Sequence, residues 1–408
     1  MLFQGDVLYR LLREVKDPRF VLALFLINSL SWSLAICIAL PSMVYFKVKP
    51  LIHTSSIILF VFIALSMLFC LLKPSSLINP VLYLGWPILG VFSLMILRLH
   101  NFTPFSIIPS FLLLGISIGL YLPLLGGSFL GYTTFDDRGR LSAGVLAASI
   151  AALLFLLVIG YGRAFLYLDS LSAWRLIGFF LAIFSYRALS LKHGEYEVRI
   201  KRFVIALLLA MWGFFLAISS IFVVLTFNVF SLLASHHLAI YSLVVAAAFA
   251  AASGVFIDYY GGRKGLLAVT YVCLGISVSL LPFMNITTFL SIYLVIEGAA
   301  FGILSLMFVF IIPGDSYYIS TRLAMFSLSV LILLAGFTFM PLAVLFGVRL
   351  ALNLHIVLLF VSLSYLLCFL ILFFVPELLP SEVSERRKIR EYVRLAKRIK
   401  KKYESTRL

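Results

Sequence analysis

Long apolar runs separated by short polar turns set the pattern of this chain. A run of about 20 apolar residues spans the ~30 Å hydrocarbon core of a bilayer as a helix rising ~1.5 Å per residue. Twelve such helices are predicted, at about 20–46, 52–72, 77–97, 103–125, 141–161, 171–190, 203–227, 237–258, 265–282, 287–312, 323–346 and 351–375. The fold class expected is therefore an all-α membrane protein.

Polar segments divide this series. Residues 1–19 place Leu8, Leu11, Leu12 and Val15 on one helical face, which suits either an amphipathic helix on the membrane or a solvated lead-in. Segment 191–202 is the longest polar interruption before the tail, so 20–190 and 203–375 form two six-helix halves. In the tail 376–408, Ile389, Tyr392, Val393, Ala396 and Ile399 share one face amid many cations, as in a helix lying on lipid. The halves also repeat. Trp32 and Trp212 lie 180 positions apart, Gly115 and Gly298 183, Gly119 and Gly302 183, Asn101 and Asn285 184, and Arg138 and Arg322 184. Such a steady offset predicts two bundles related by an axis along the membrane normal.

Composition narrows the function classes. With 63% hydrophobic and 12% charged residues, there is too little charge to coat a soluble globule. The net charge of +16 does not imply nucleic acid: 26 of the 32 Lys and Arg fall on the side holding both termini, which makes that side cytoplasmic and suits anionic lipid headgroups. Lys47, Lys49, Arg98, Arg163, Arg175 and Arg349 are assigned to the outer side, where Arg163, Asp169, Trp174 and Arg175 read as interfacial anchors. Cys37, Cys70, Cys273 and Cys368 lie in apolar spans without metal-like spacing, and His236-His237 stands without acid or cysteine nearby. No metal or cofactor is expected. Asn101-Phe-Thr103 and Asn285-Ile-Thr287 read as helix caps rather than glycosylation sites.

One turn organises the rest: Gly254-Val-Phe-Ile-Asp258-Tyr-Tyr-Gly261-Gly262-Arg263-Lys264. The glycines permit a sharp reversal, and Arg263 and Lys264 hold it in water. Asp258, an acid in the last turn of a helix, opposes the macrodipole and calls for a cationic or helix-N-terminal partner. The spacing resembles the Asp-x-x-Gly-Gly-Arg-Lys loop signature of the major facilitator superfamily. The Arg138-Gly139-Arg140 turn before the fifth span is similar to that family's loop between spans four and five. The resemblance implies a secondary transporter of twelve transmembrane helices in two pseudo-symmetric six-helix bundles that rock about a central site. It further implies a cytoplasmic gate in which Asp258, Gly261, Gly262, Arg263 and Lys264 pack against Arg138 and Arg140. A turn that only fixes topology is the alternative. The first copy of the signature is missing, its place being taken by Leu72-Lys73-Pro74-Ser75-Ser76.

With loop and tail acids set aside, Glu297 alone lies well inside a span, about ten residues in and so roughly 15 Å deep. A carboxyl there must be protonated, paired or open to a watery cavity, which fits a proton or cation site; a protonated packing Glu is the alternative. In the family's arrangement spans one, four, seven and ten line the cavity, so Asn28, Trp32, Trp212 and Tyr293 would join Glu297 there. The polar cluster Asn28, Ser29, Ser31, Trp32 and Ser33 serves equally as pocket or interhelical glue. So few polar groups favour an apolar, amphipathic or cationic solute over a sugar. No enzymatic constellation is evident. The expected function is proton-coupled transport of a small organic solute by a monomer in the plasma membrane, with a non-transporting scaffold as the alternative.

Overall fold

A computed structural model describes residues 17–48, 51–72, 74, 79–160, 163–189, 202–229, 232–279, 287–316, 318–345 and 354–375, with single tail positions 385, 389, 392, 393, 396 and 399. The face Leu8 to Val15, Lys73, Ser75 and Ser76, linker residues 191–201, Asn285 and most of 376–408 lie outside the described residues. So do the side chains of His236 and His237.

The first half comprises α1 (Pro18–Lys47), α2 (Ile52–Leu72), α3 (Pro80–Leu99), α4 (Pro104–Gly119), α5 (Leu122–Tyr132), α6 (Arg138–Gly160) and α7 (Ala164–Ser185). The second comprises α8 (Arg202–Val229), α9 (Leu232–Tyr260), α10 (Arg263–Ser279), α11 (Thr287–Ser305), α12 (Ile319–Leu345) and α13 (Leu354–Phe374). Together α4 and α5 make the fourth span, and α11 continues through a buried π-helical stretch, Leu306–Ile311, into Ile312–Gly314. Twelve spans result. Among the described residues nine helices are long and apolar enough to cross a membrane, and Phe203–Ser219 and Leu358–Phe374 add shorter apolar stretches.

Local chemistry sets several starts. Asp17 and Asn79 each accept the backbone N–H two residues on, at 2.9 Å, just before Pro18 and Pro80. Proline suits a first helical position, where its missing N–H would have had no partner. The turn before Pro104 carries Asn101 and Phe102 at φ 48° and 60°, so this reversal is built from left-handed residues rather than glycine.

The two halves share several pairings. In the first, α2 packs on α4, α3 on α7 and α4, and α1 on α6; in the second, α9 packs on α11, α10 on α13 and α11, and α8 on α12. Glycines at the expected repeat positions explain one of these. A Cβ on Gly115 would lie 2.7 Å from Cβ of Phe62 in α2, and one on Gly298 2.6 Å from the Ser242 carbonyl oxygen in α9. Gly119 and Gly302, one turn on, meet Ile63 and Ala246 in the same way. Close backbone approach is what small residues four apart provide between membrane helices. Between the halves, α6 packs on α9, while α12 packs on α1, α2 and α5. Outward-facing apolar residues such as Phe105, Phe180, Phe360 and Phe374 suit a lipid-facing perimeter, as in an integral membrane protein.

Candidate functional site

Polar contacts between the halves gather on the face that carries the turns 133–137, 261–262 and 315–316, here termed the basic face. Gly139 and Gly254 touch there; a Cβ on Gly254 would collide with Ala143. This crossing brings Asp258, one turn after Gly254, over the start of α6. Its carboxylate accepts the backbone N–H groups of Gly139 and Arg140 at 2.8 Å each and the Arg140 Nε at 3.1 Å. The first-turn N–H groups of a helix have no partner of their own and carry its positive pole, so a carboxylate is held well at that point. The acid that opposes the dipole of its own helix thus complements the dipole of another.

A second junction lies deeper. Arg138 donates from Nη1 to Asp315 at 2.5 Å, while its Nε and Nη2 go to the hydroxyl and carbonyl of Thr133 at 2.9 and 3.0 Å. Arg263 donates to the other Asp315 oxygen, and the Phe135 ring lies 4.7 Å from the Arg138 guanidinium and 5.5 Å from that of Arg263. All three charged groups are buried, so this carboxylate ties spans 5, 9 and 10 together where water cannot screen it. Arg322 lies beside Arg138 and donates to the Ser316 carbonyl at 3.1 Å.

The other gate candidates divide by role. Gly261 adopts φ 72°, a conformation that favours glycine, whereas a Cβ at Gly262 would meet open space. Lys264 donates to the Phe373 carbonyl at 3.2 Å and so ties the end of α13 instead of the junction. Arg140 is largely exposed. Beside the start of α12, Leu71, Pro74, Tyr318, Ile319, Ser320, Leu323 and Ala324 line a hollow of about 430 Å³. This is the place where the missing signature copy would have stood.

Of the mid-membrane candidates, Glu297 has the hydroxyls of Tyr293 and Ser219 around its carboxyl, with Tyr365 of α13 close by. Trp212 donates its indole N–H to the Ser329 carbonyl at 3.0 Å and stacks on Phe215 and Phe308. These three candidates belong to the second half. Asn28 and Trp32 face the interior of the first: Asn28 donates to the Trp174 carbonyl at 2.7 Å beside Gly178, and Trp32 packs on Gly90.

Two sequence readings need correction. Trp174 and Arg175 are not interfacial anchors. The Trp174 indole donates to Ser31 at 3.0 Å, and Arg175 is fully buried halfway along α7 between Trp32 and Trp86. The predicted start of the sixth span, near 171, is about two turns late against Ala164, which is what placed Arg175 at the surface. Asp315 was passed over as a loop acid because hydropathy ends the tenth span near 312; only its position opposite Arg138 and Arg263 reveals it.

The structure resembles the crystal structure of the human organic anion transporter MFSD10 (TETRAN), with a TM-score of 0.67 and 14% identity over 88% of this chain and 100% of that one. The chain has the major facilitator fold. It also resembles the major facilitator proton:xylose symporter XylE bound to 6-bromo-6-deoxy-D-glucose (TM-score 0.60, 13% identity, 88% of this chain and 96% of that). A bacterial homologue of the iron transporter ferroportin, in an outward-facing state, gives a TM-score of 0.58 at 14% identity over 88% of this chain and 98% of that one. No protein-family model matches the sequence, and no curated protein matches it. At these identities the major facilitator likeness establishes architecture, while solute and coupling rest on the site.

Proposed function

We propose that the protein is a secondary active transporter that moves a small organic solute by alternating access, with a proton carried on Glu297. The observation behind this reading is the junction on the basic face. Two half-bundles meet there through a few separable polar contacts, Asp258 on the start of α6 and Asp315 between Arg138 and Arg263. Such contacts hold one of two states without binding solute, which is the behaviour of a gate. Glu297 gives the second half an acid at membrane depth, flanked by hydroxyls that can stabilise either of its protonation states. The neighbours are named for an organic anion, a sugar and iron, so the fold leaves the solute class open. In this reading the basic face is cytoplasmic, and the tail, whose Ile389, Tyr392, Val393 and Ile399 are exposed, lies on anionic lipid.

The test is solute-driven proton movement into vesicles containing the purified protein and a trapped pH dye. A panel of neutral, cationic and anionic organic solutes should include one that acidifies or alkalinises the lumen. Glu297→Gln should abolish the proton signal while solute exchange persists. No solute flux of any kind, with folded protein in the vesicles, would favour the scaffold reading.

A further inference from the structure

Arg175 is eleven residues into the 22-residue helix α7, near the middle of the membrane, and wholly buried. Its guanidinium is held between two indoles, 4.3 Å from the Trp32 ring centre and 4.1 Å from that of Trp86. Its hydrogen bonds are long, 3.2 Å from Nη1 to the Ser29 hydroxyl and 3.4 Å from Nη2 to the Ser117 carbonyl. Among the described residues no carboxylate pairs with it. Its Nε has no acceptor, and neither has the indole N–H of Trp32 or of Trp86.

A lone cation at this depth is costly, and so is each buried donor without an acceptor. The two deficits share a sign, since an anionic acceptor offsets the charge and takes up whichever free donors it reaches. Packing alone does not call for the charge. In the second half, where spans 7, 9 and 12 approach, Tyr365 lies 5.8 Å from Phe214 and 6.3 Å from Tyr271, with no arginine in that ring cluster. Around Arg175 the shell is aromatic as well: Trp86 stacks on Tyr121 at 5.6 Å, and Phe25 lies 5.6 Å from Trp86. A planar guanidinium matches a carboxylate in two hydrogen bonds, and the rings around it match an apolar body.

We propose that Arg175, with the indole N–H groups of Trp32 and Trp86, binds the carboxylate of an organic anion that has an apolar or aromatic body, and that this anion is the solute. The assignment of the anion as solute rests on the transport reading; the binding site does not. It narrows the apolar, amphipathic or cationic solute expected from the sequence, which placed Arg175 at the surface, to an amphipathic anion. The site is packed shut in this conformation, a Cβ at Gly90 coming within 2.7 Å of both Trp32 and the Ser117 hydroxyl. Entry therefore requires the Trp32 ring to leave Gly90.

The experiment titrates full-length purified protein with benzoate and octanoate, with benzamide as the uncharged counterpart of benzoate, and with chloride, all in a sulfate background of constant ionic strength. Melting temperature and tryptophan fluorescence are read together. The carboxylates should raise the melting temperature saturably and change the fluorescence, whereas benzamide should do neither. Arg175→Gln should weaken carboxylate binding at least tenfold. Trp86→Phe keeps a ring against the guanidinium and removes one donor; it should weaken binding severalfold and keeps the test decisive if Arg175→Gln does not fold. Carboxylates that act no better than benzamide, or equally on wild type and Trp86→Phe, overturn the site. A response to chloride alone overturns the organic anion in favour of an inorganic one. Arg175-dependent carboxylate binding in a protein that moves no solute across vesicles would sustain the site and defeat the transport reading.

Discussion

The carboxylate of Asp258 lies across the first turn of α6 and takes the amide protons of Gly139 and Arg140 at equal distances of 2.8 Å. One side chain at the end of the eighth span thereby caps the fifth. Asp258→Asn retains an acceptor but loses the charge that complements the helix, a change of about 1–2 kcal/mol against the closed junction. In a background lacking the four native cysteines, a cysteine placed at Ala143 should react with an impermeant maleimide roughly tenfold faster in the variant, since about 1.4 kcal/mol is a factor of ten.

Asp315 is the more demanding position, because its removal leaves Arg138 and Arg263 buried and facing one another. Breaking a buried pair from one side costs about 3–5 kcal/mol. Asp315→Asn should lower the thermal midpoint of the purified protein well beyond the loss in Asp258→Asn. Equal losses would mean that Arg138 and Arg263 find other partners.

The glycines make opposite predictions according to what surrounds them. Gly302→Ala drives a methyl group into the Ala246 carbonyl and should destabilise by about 1–3 kcal/mol. Gly144→Ala, in the interior of α6 with open space around it, should be neutral or stabilise by up to about 1 kcal/mol. Thermal midpoints of the two variants side by side decide the matter.

The ion pair Arg98–Asp169, at 2.9 Å between the ends of α3 and α7, is substantially exposed on both sides. Its loss in Asp169→Asn should change stability by less than about 1 kcal/mol, and less again in high salt. It serves as the control for the buried junction.

Hydropathy made the twelve spans legible because a bilayer sets a minimum length that sequence alone can meet. The Asp258 contact was legible too, since an acid at the wrong end of a helix requires a partner elsewhere. Arg175 was not: Asp169 and Arg175 make Ala164–Ser185 the least apolar of the nine described helices long enough to cross a membrane, so a span begun after Asp169 loses two turns, and that shift moves an arginine from the surface to mid-membrane. Arg322, in the first turn of α12, is buried as well, which its place at the edge of a predicted span does not reveal. Asp315 lay beyond reach because its role depends on two arginines 177 and 52 positions away. Burial of a charge is a tertiary fact, and one-dimensional polarity assigns a charge near the end of a span to water.

The hollow lined by Leu71, Pro74 and Tyr318 gives the molecule a lopsided fastening. Along the edge where spans 5 and 8 cross, the halves are bolted by charge and by glycine contact; along the opposite edge, where α2 meets α12, apolar side chains border a void. A door bolted on one edge only does not lift away squarely. Parting of the basic face should begin as a crack between spans 2 and 11 and pivot on the Gly139–Gly254 crossing, so that the last contact to break is the one Asp258 makes.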